Sequence, residues 1–247
     1  MDSLSQIDRH TSDRQNEDTH ADALHEIGRQ IAASDHVHEV LDRVLDFTVG
    51  LVKCDSCFIY VLDENELVLR ASKNPHADLV DRLKLRLGEG IAGWVAQHRE
   101  PVALSKNAFK DPRFRFCTEL PEDNYEALLC VPLLSRGRVV GVMSLQHRQP
   151  HNYSRRRVQL ISTIGFLVGA EVEMARLEAE NANLSEQLET RKLVERAKGI
   201  LQRELNLDEE QAYLALQRQS RQKRKPMKEI AEAIVLSDEI KGDSRIN

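Results

Sequence analysis

From Ser154 to Arg224 and Lys225 the chain contains no proline until Pro226, and up to about Leu205 its apolar residues return at helical spacing. A helix of that length holds roughly 50 residues and measures about 75 Å, more than one compact core can bury. A heptad supplies the missing partner. Leu160, Leu167, Met174, Asn181 and Leu188 recur every seventh residue, and Thr163, Ala170, Leu177 and Leu184 follow three positions later. Two such sets form the a/d seam of a coiled coil. A solvated helix with incidental spacing is the alternative, and a seam sustained over successive heptads argues against it. The spacing predicts a parallel homodimer joined by Leu160, Leu167, Met174, Leu177, Asn181, Leu184 and Leu188. Asn181, a buried amide in that seam, lowers stability while favouring two strands in register.

The residues before this helix alternate between two periods. Residues 1 to 20 have no apolar period and read as a disordered tail. Leu24, Ile27, Ile31, Val37, Leu41, Val44 and Leu45 mark a pair of amphipathic helices, interrupted at Ser34-Asp35, where a cap starts the second. Cys57–Leu62 and Glu66–Ala71 form a hairpin around Asp63-Glu-Asn65. A polar helical stretch is expected near 78–86, then a glycine-punctuated turn from Gly88 to Gly93 feeding a short helix at Trp94. A second hairpin pairs Ala127–Leu134 with Arg138–His147 across Ser135-Arg-Gly137. The whole is an α+β domain, an antiparallel sheet with flanking helices. After the long helix, Asp208 with Gln211 three positions on forms a capping box opening a helix that carries Ala212, Ala215 and Leu216. Lys223-Arg-Lys225-Pro226 breaks it, and Met227, Ile230, Ala231 and Ile234 line a last short helix.

Composition removes several function classes. The formal net charge is -5, so no global basic field draws nucleic acid and any such site is local. Met1 to Asp35 lacks the apolar core of a signal peptide, and no later run looks long and charge-free enough to span a bilayer, so the expectation is a cytoplasmic protein without a membrane partner. In a reducing compartment Cys54, Cys57, Cys117 and Cys130 read as thiols. Cys54-Asp-Ser-Cys57 has no second cysteine pair for a structural zinc, which leaves core thiols as the first reading and redox chemistry as the second. His147 with His151, and His36 with His38, lack an arranged carboxylate or nucleophile and read as solvated. There is no phosphate-binding loop, nucleophile elbow or zinc-hydrolase pattern. The chain is not expected to be an enzyme, and no cofactor or metal is expected.

Two resemblances organise these pieces. Leu87-Gly-Glu-Gly-Ile-Ala-Gly-Trp-Val-Ala96 with Glu100-Pro-Val102, Asp111-Pro-Arg-Phe114, and Leu129-Cys-Val-Pro-Leu-Leu134 with Val139-Val-Gly-Val-Met-Ser-Leu145 resemble a GAF domain spanning about Ala23 to Ala175. The resemblance implies a sensor fold with a cavity lined by Tyr60, Trp94, Phe114 and Met143 for an unknown small-molecule ligand; a filled core is the open alternative. Arg191-Lys-Leu-Val-Glu-Arg-Ala-Lys-Gly-Ile-Leu201, Leu207-Asp-Glu-Glu-Gln-Ala-Tyr213, Leu216 with Gln219-Ser220, and Ile230-Ala-Glu-Ala-Ile234 resemble an ANTAR domain, the three-helix RNA-binding module of transcription antiterminators. Gly199 inside a helix suggests close approach of another backbone or a ligand. Asn206 stands where the family more often has glycine and can take the same left-handed conformation. The expected organisation is a tail over 1–20, a GAF-like domain over 21–156, a coiled-coil linker over 157–190, an ANTAR-like domain over 191–240 and a tail over 241–247.

Arg218, Arg221, Lys223, Arg224, Lys225 and Lys228 cluster without an intervening acid until Glu229. Alone this is a solvated basic face. Beside Lys198, Arg203 and Tyr213, the ANTAR resemblance turns Lys198, Arg203, Tyr213, Arg218, Arg221, Lys223, Arg224 and Lys225 into an RNA surface, with cations for phosphates and a ring for an unstacked loop base. Tyr213 also neighbours Ala212 and Leu216 and could be core. The function implied is a signal-responsive antiterminator that binds tandem RNA hairpins as a dimer. A DNA-binding regulator and a protein-interaction module are the alternatives.

Overall fold

Both hairpins turn on residues held in the left-handed region. A computed structural model describes residues 22–29, 37–73, 79–114 and 125–243; the N-terminal tail, the Ser34-Asp35 cap and Cys117 lie outside them. Two compact units divide at Arg176 and Leu177. The first contains six strands, β1 (Ser56–Asp63), β2 (Glu66–Lys73), β3 (Lys84–Arg86), β4 (Val102–Leu104), β5 (Ala127–Ser135) and β6 (Arg138–His147). They form one sheet of order β3-β2-β1-β6-β5-β4 with every neighbouring pair antiparallel. Glu64 (φ 52°) closes the first hairpin, and Arg136 (φ 50°) with Gly137 (φ 77°) closes the second. In the second, two successive left-handed residues match the twist of the strands they join.

Of the stretch expected to be helical near 78–86, the described residues from Val80 onward are turn and strand. Its end is strand β3, in which Leu85 pairs with Leu67 of β2. Leu83 and Leu85 alternate with Arg82, Lys84 and Arg86, a period of two that the charged residues obscure.

Each sheet face is covered. On one face lie helix α1 (22–29), α2 (Val37–Val52) and the first part of α4 (Arg155–Leu205). Their Ile27, Leu41, Val44, Leu45, Ile161, Ile164 and Val168 pack on Ile59, Leu129, Val131, Leu133, Met143 and Leu145. On the other face α3 (Gly90–His98) sets Ile91 and Val95 against Phe58, Tyr60, Leu69, Leu128 and Val142. A strand buried on both faces reads as a continuous apolar run, which is what Ala127–Leu133 shows.

Helix α4 approaches the sheet through a small-residue stripe. A Cβ on Gly165 would stand 2.9 Å from the Pro132 carbonyl, and one on Gly169 would stand 2.6 Å from the Leu134 carbonyl. Glycine is required at both positions because the obstacle is backbone. Leu160 is buried in this core, so the first seam position expected for dimerisation belongs instead to the sheet. An 18-residue window of α4 reaches a mean hydropathy of 1.4, enough by length and composition to cross a membrane. The sequence expectation of no such run is therefore corrected. Its apolarity has a local cause: Ile161, Ile164, Val168 and Val172 form the stripe that lies on the sheet.

The second unit contains the end of α4, α5 (Glu209–Lys223) and α6 (Met227–Asp243). Asn206 has φ 50° and takes the left-handed turn expected of it. The capping box is present, with the Asp208 carboxylate accepting from the Gln211 N–H at 2.7 Å and the Gln211 side chain accepting from the Asp208 N–H at 3.1 Å. Val194, Ala197, Ile200, Leu216, Ile230, Ala231 and Val235 form its core. The last helix has 17 residues and is not short: Arg203–Asp238, Arg196–Glu239 and Lys241–Glu204 ion pairs join it to α4.

Candidate functional site

The basic residues of the second unit separate into two groups by what they touch. Lys198 is buried, and its Nζ donates to Glu209 at 2.8 Å and to Glu195 at 3.0 and 3.1 Å. Arg203 meets Asp238 at 2.6 Å, and Lys225 meets Glu229 at 2.8 Å. Of the eight expected RNA-binding residues, these three are engaged within the protein: Lys198 and Arg203 join α4 to its neighbours, and Lys225 pairs locally at the start of α6. Arg218, Arg221, Lys223 and Arg224 are exposed and have no side-chain partner among the described residues.

Helix geometry places these free cations beside apolar surface. Tyr213, Gln217 and Arg221 stand at successive intervals of four, and Arg224 follows one turn later; Leu214 and Arg218 form the adjacent row. Tyr213 is 42% exposed and Leu214 45%, so the ring is not in the core formed by Ala212 and Leu216. The cationic turn is itself fixed. Arg224 has φ 52°, the Lys225 N–H donates to the Ser220 carbonyl at 3.1 Å, and the Ser220 hydroxyl donates to the Lys225 carbonyl at 2.6 Å. This is a helix stop with a left-handed residue after the last turn. Gly199, expected to meet another backbone, has nothing within 4 Å of where its Cβ would be.

The Lys198 clamp gives a pH dependence. The hydrogen bond from Lys198 and its charge lower the Glu209 pKa from its ordinary 4.5, while Glu209 first and Glu195 second raise that of Lys198. A depressed carboxylate contributes stability that is present above 4.5 and lost as pH falls through the folded value. A raised ammonium contributes below 10.5 and is lost as pH rises beyond it. The clamp is therefore complete across the neutral range. Glu209→Gln is expected to flatten the acid limb of stability against pH, measured by urea unfolding at a series of acid pH values; an unchanged slope would show that the clamp contributes nothing.

In the first unit the four expected cavity residues divide between the two faces. Tyr60, Trp94 and Phe114 belong to the core under α3, whereas Met143 lies in the core under α2 and α4. Met143 pairs with Ile59 across β1 and β6, while Tyr60 pairs with Val142, which fixes their opposite facing. Trp94 stacks on His98 with centroids 4.1 Å apart, and the Arg113 guanidinium sits 4.6 Å from the Trp94 ring. Arg113 also grips the Asp111 carboxylate through two bonds of 2.9 Å. This ties the Asp111–Phe114 segment to α3. Sequence reasoning missed a separate cleft of about 520 Å³ lined by Leu41, Val61, Arg70, Arg138, Val172 and Arg176 among others; its walls come from elements far apart in the chain.

Residues 34–173, more than half of the chain, match the GAF domain family. The chain belongs to that family. Residues 182–235 match the ANTAR domain, so the GAF domain is followed by an ANTAR domain. The GAF domain is similar to the crystal structure of the GAF domain from an Acinetobacter phosphoenolpyruvate-protein phosphotransferase, at 30% identity and a TM-score of 0.59, covering 66% of this chain and 98% of that one. Transcriptional regulatory protein PdtaR of Mycobacterium tuberculosis (strain H37Rv) is 41% identical over 103 residues, 42% of this chain and 48% of that protein. The phosphoenolpyruvate-dependent phosphotransferase system protein of Escherichia coli (strain K12) is 26% identical over 63% of this chain and 21% of its own length. The chain thus spans about half or less of the curated relatives it matches.

Proposed function

We propose that this chain is a signal-responsive transcription antiterminator, not an enzyme, that acts in the cytoplasm and binds tandem RNA hairpins as a dimer through its ANTAR domain. The observation that carries the reading is the face of α5, where the unpaired cations Arg218, Arg221 and Arg224 lie beside the exposed ring of Tyr213. Hairpin loops offer splayed bases and phosphates together, and specific RNA recognition uses stacking and hydrogen bonding as well as charge. The ANTAR domain and the similarity to PdtaR, a transcriptional regulatory protein, support the regulatory reading. The GAF domain is the input, and the exposed seam of α4 is the dimer contact.

Residues of the two groups should fail differently. Tyr213→Ala is expected to cost about 1 to 3 kcal/mol of binding while changing stability by less than about 0.5 kcal/mol, because an exposed ring contributes little to folding. Arg221→Ala and Arg224→Ala should weaken binding to every hairpin and each reduce the salt slope by about one. Lys198→Ala should lower the melting temperature instead. Fluorescence anisotropy with a tandem hairpin, each hairpin alone and a random DNA duplex tests the reading. Equal affinity for all of them would leave only charge attraction and refute it; preference for the duplex would favour a DNA-binding regulator.

A further inference from the structure

The turn between α2 and β1 carries chemistry that RNA binding does not use. Lys53 has φ 56°, the Asp55 N–H donates to the Gln146 carbonyl at 3.0 Å, and the Asp55 carboxylate accepts from the Arg148 N–H at 2.7 Å. These contacts pin the turn to the end of β6 and bring Cys54 and Cys57 into one cluster with Val52, Leu145 and Tyr153. The two cysteines stand three positions apart, Cys54 in the turn and Cys57 in β1, with both side chains in that one core cluster. Cys54 keeps 8% exposure while Cys57 is fully buried. Cys54 is thus the nearer of the two to the surface.

A buried imidazole flanks the pair. His147 is 6% exposed, its Nδ1 lies 2.8 Å from the Tyr153 hydroxyl, and its ring stacks on His151 at 3.9 Å. Its Nε2 completes no hydrogen bond among the described residues.

We propose that Cys54 and Cys57 form a reversible dithiol–disulfide site whose oxidant is a small hydroperoxide. Cys54 is the attacking sulfur, because it is the less buried of the two; the neighbouring Cys57 thiol also lowers its pKa, whereas burial pushes Cys57 up. The Cys54 thiolate displaces hydroxide from hydrogen peroxide, giving a sulfenic acid; one proton converts the hydroxide to water. The Cys57 sulfur then displaces the sulfenic hydroxyl, which leaves as a second water with the Cys57 proton. Two thiols are oxidised by two electrons in total and one peroxide is reduced. A small dithiol restores the pair by exchange. Tyr153, which shares this cluster, stands two residues before α4 begins at Arg155, so closing the disulfide changes the packing where that helix starts.

The site is independent of what the ANTAR domain binds, and its test needs no RNA. Reduced full-length protein is exposed to hydrogen peroxide, alkylated, digested and weighed. The expected product is a Cys54–Cys57 peptide lacking two hydrogens, formed at least about tenfold faster than Cys130 is lost, and reversed by dithiothreitol. Cys130 is the internal reference, since it lies on the opposite sheet face with its thiol pushed up by burial. Cys57→Ser should stop at a sulfenic acid on Cys54 that a dimedone reagent captures, and Cys54→Ser should leave Cys57 as a thiol. If either variant fails to fold, the wild-type measurement decides alone. Cys54 and Cys57 that remain alkylatable at doses oxidising Cys130, or a disulfide to Cys117 in place of the internal one, would overturn the proposal.

Discussion

Gly169→Ala is expected to lower the stability of the GAF domain by about 2 kcal/mol. Alanine in a helix is favoured over glycine by about 1 kcal/mol, so the substitution begins with a gain. Against it, the new Cβ would stand 2.6 Å from the Leu134 carbonyl oxygen and 2.7 Å from the Leu134 nitrogen. Neither atom can rotate away, and forcing α4 off β5 costs about 3 kcal/mol, the upper part of the range for overpacked cores. Gly50→Ala provides the opposite sign. That glycine lies in α2 with nothing within 4 Å of its Cβ position, so the same change there should raise stability by up to about 1 kcal/mol. Urea unfolding of both variants measures the contrast. Two changes of the same sign would show that the close approach of α4 to β5 carries no weight.

Leu177→Asp combined with Leu184→Asp is expected to abolish the dimer and lower tandem-hairpin affinity about a hundredfold while leaving single-hairpin affinity unchanged. Leu167, Met174, Leu177, Leu184 and Leu188 are 37 to 57% exposed along one stripe of α4. Apolar side chains at heptad spacing on an otherwise charged helix bury surface against a second helix. The two leucines are outside the monomer's core, so the paired substitution should not unfold it. Sedimentation at micromolar concentration reads the assembly, and a wild-type monomer there would refute the dimer. Within the seam, Asn181 is exposed and accepts from the Ser185 hydroxyl at 3.4 Å. Asn181→Leu should raise the melting temperature and mix the oligomeric states.

Local signals were legible in the sequence and non-local ones were not. The hairpin turns at Asp63–Asn65 and Ser135–Gly137, the Asp208–Gln211 capping box and the left-handed Asn206 each depend on residues within a few positions of one another. Basic residues on the exposed side of β3 hide the alternation of Leu83 and Leu85. Which face Met143 and Tyr60 take depends on how their strands pair. Here the neighbour relation is β1 against β6, more than eighty residues apart, with a register shift between Ile59 and Tyr60 in the adjoining β1–β2 pair. Leu160 fits the heptad and also the sheet-facing stripe, since both recur at helical spacing, and periodicity alone does not mark where one hands over to the other. In the candidate RNA site, the cluster of cations was visible, but which ones were already engaged was not. Glu209 reaches Lys198 only after the chain has turned at Asn206.

The left-handed backbone at Arg224 sets stability against charge presentation. An arginine at φ 52° costs about 1 kcal/mol relative to glycine, yet this position holds one of the four expected RNA-binding cations that have no acidic partner among the described residues. Evolution or engineering that ranks variants by thermal endurance alone would replace it with glycine and discard the cation. A thermally improved chain could therefore be a poorer binder with no visible defect in its fold. Selection for both properties would instead have to find its gains elsewhere, at exposed positions such as Gly199 where the helix has open space beside it.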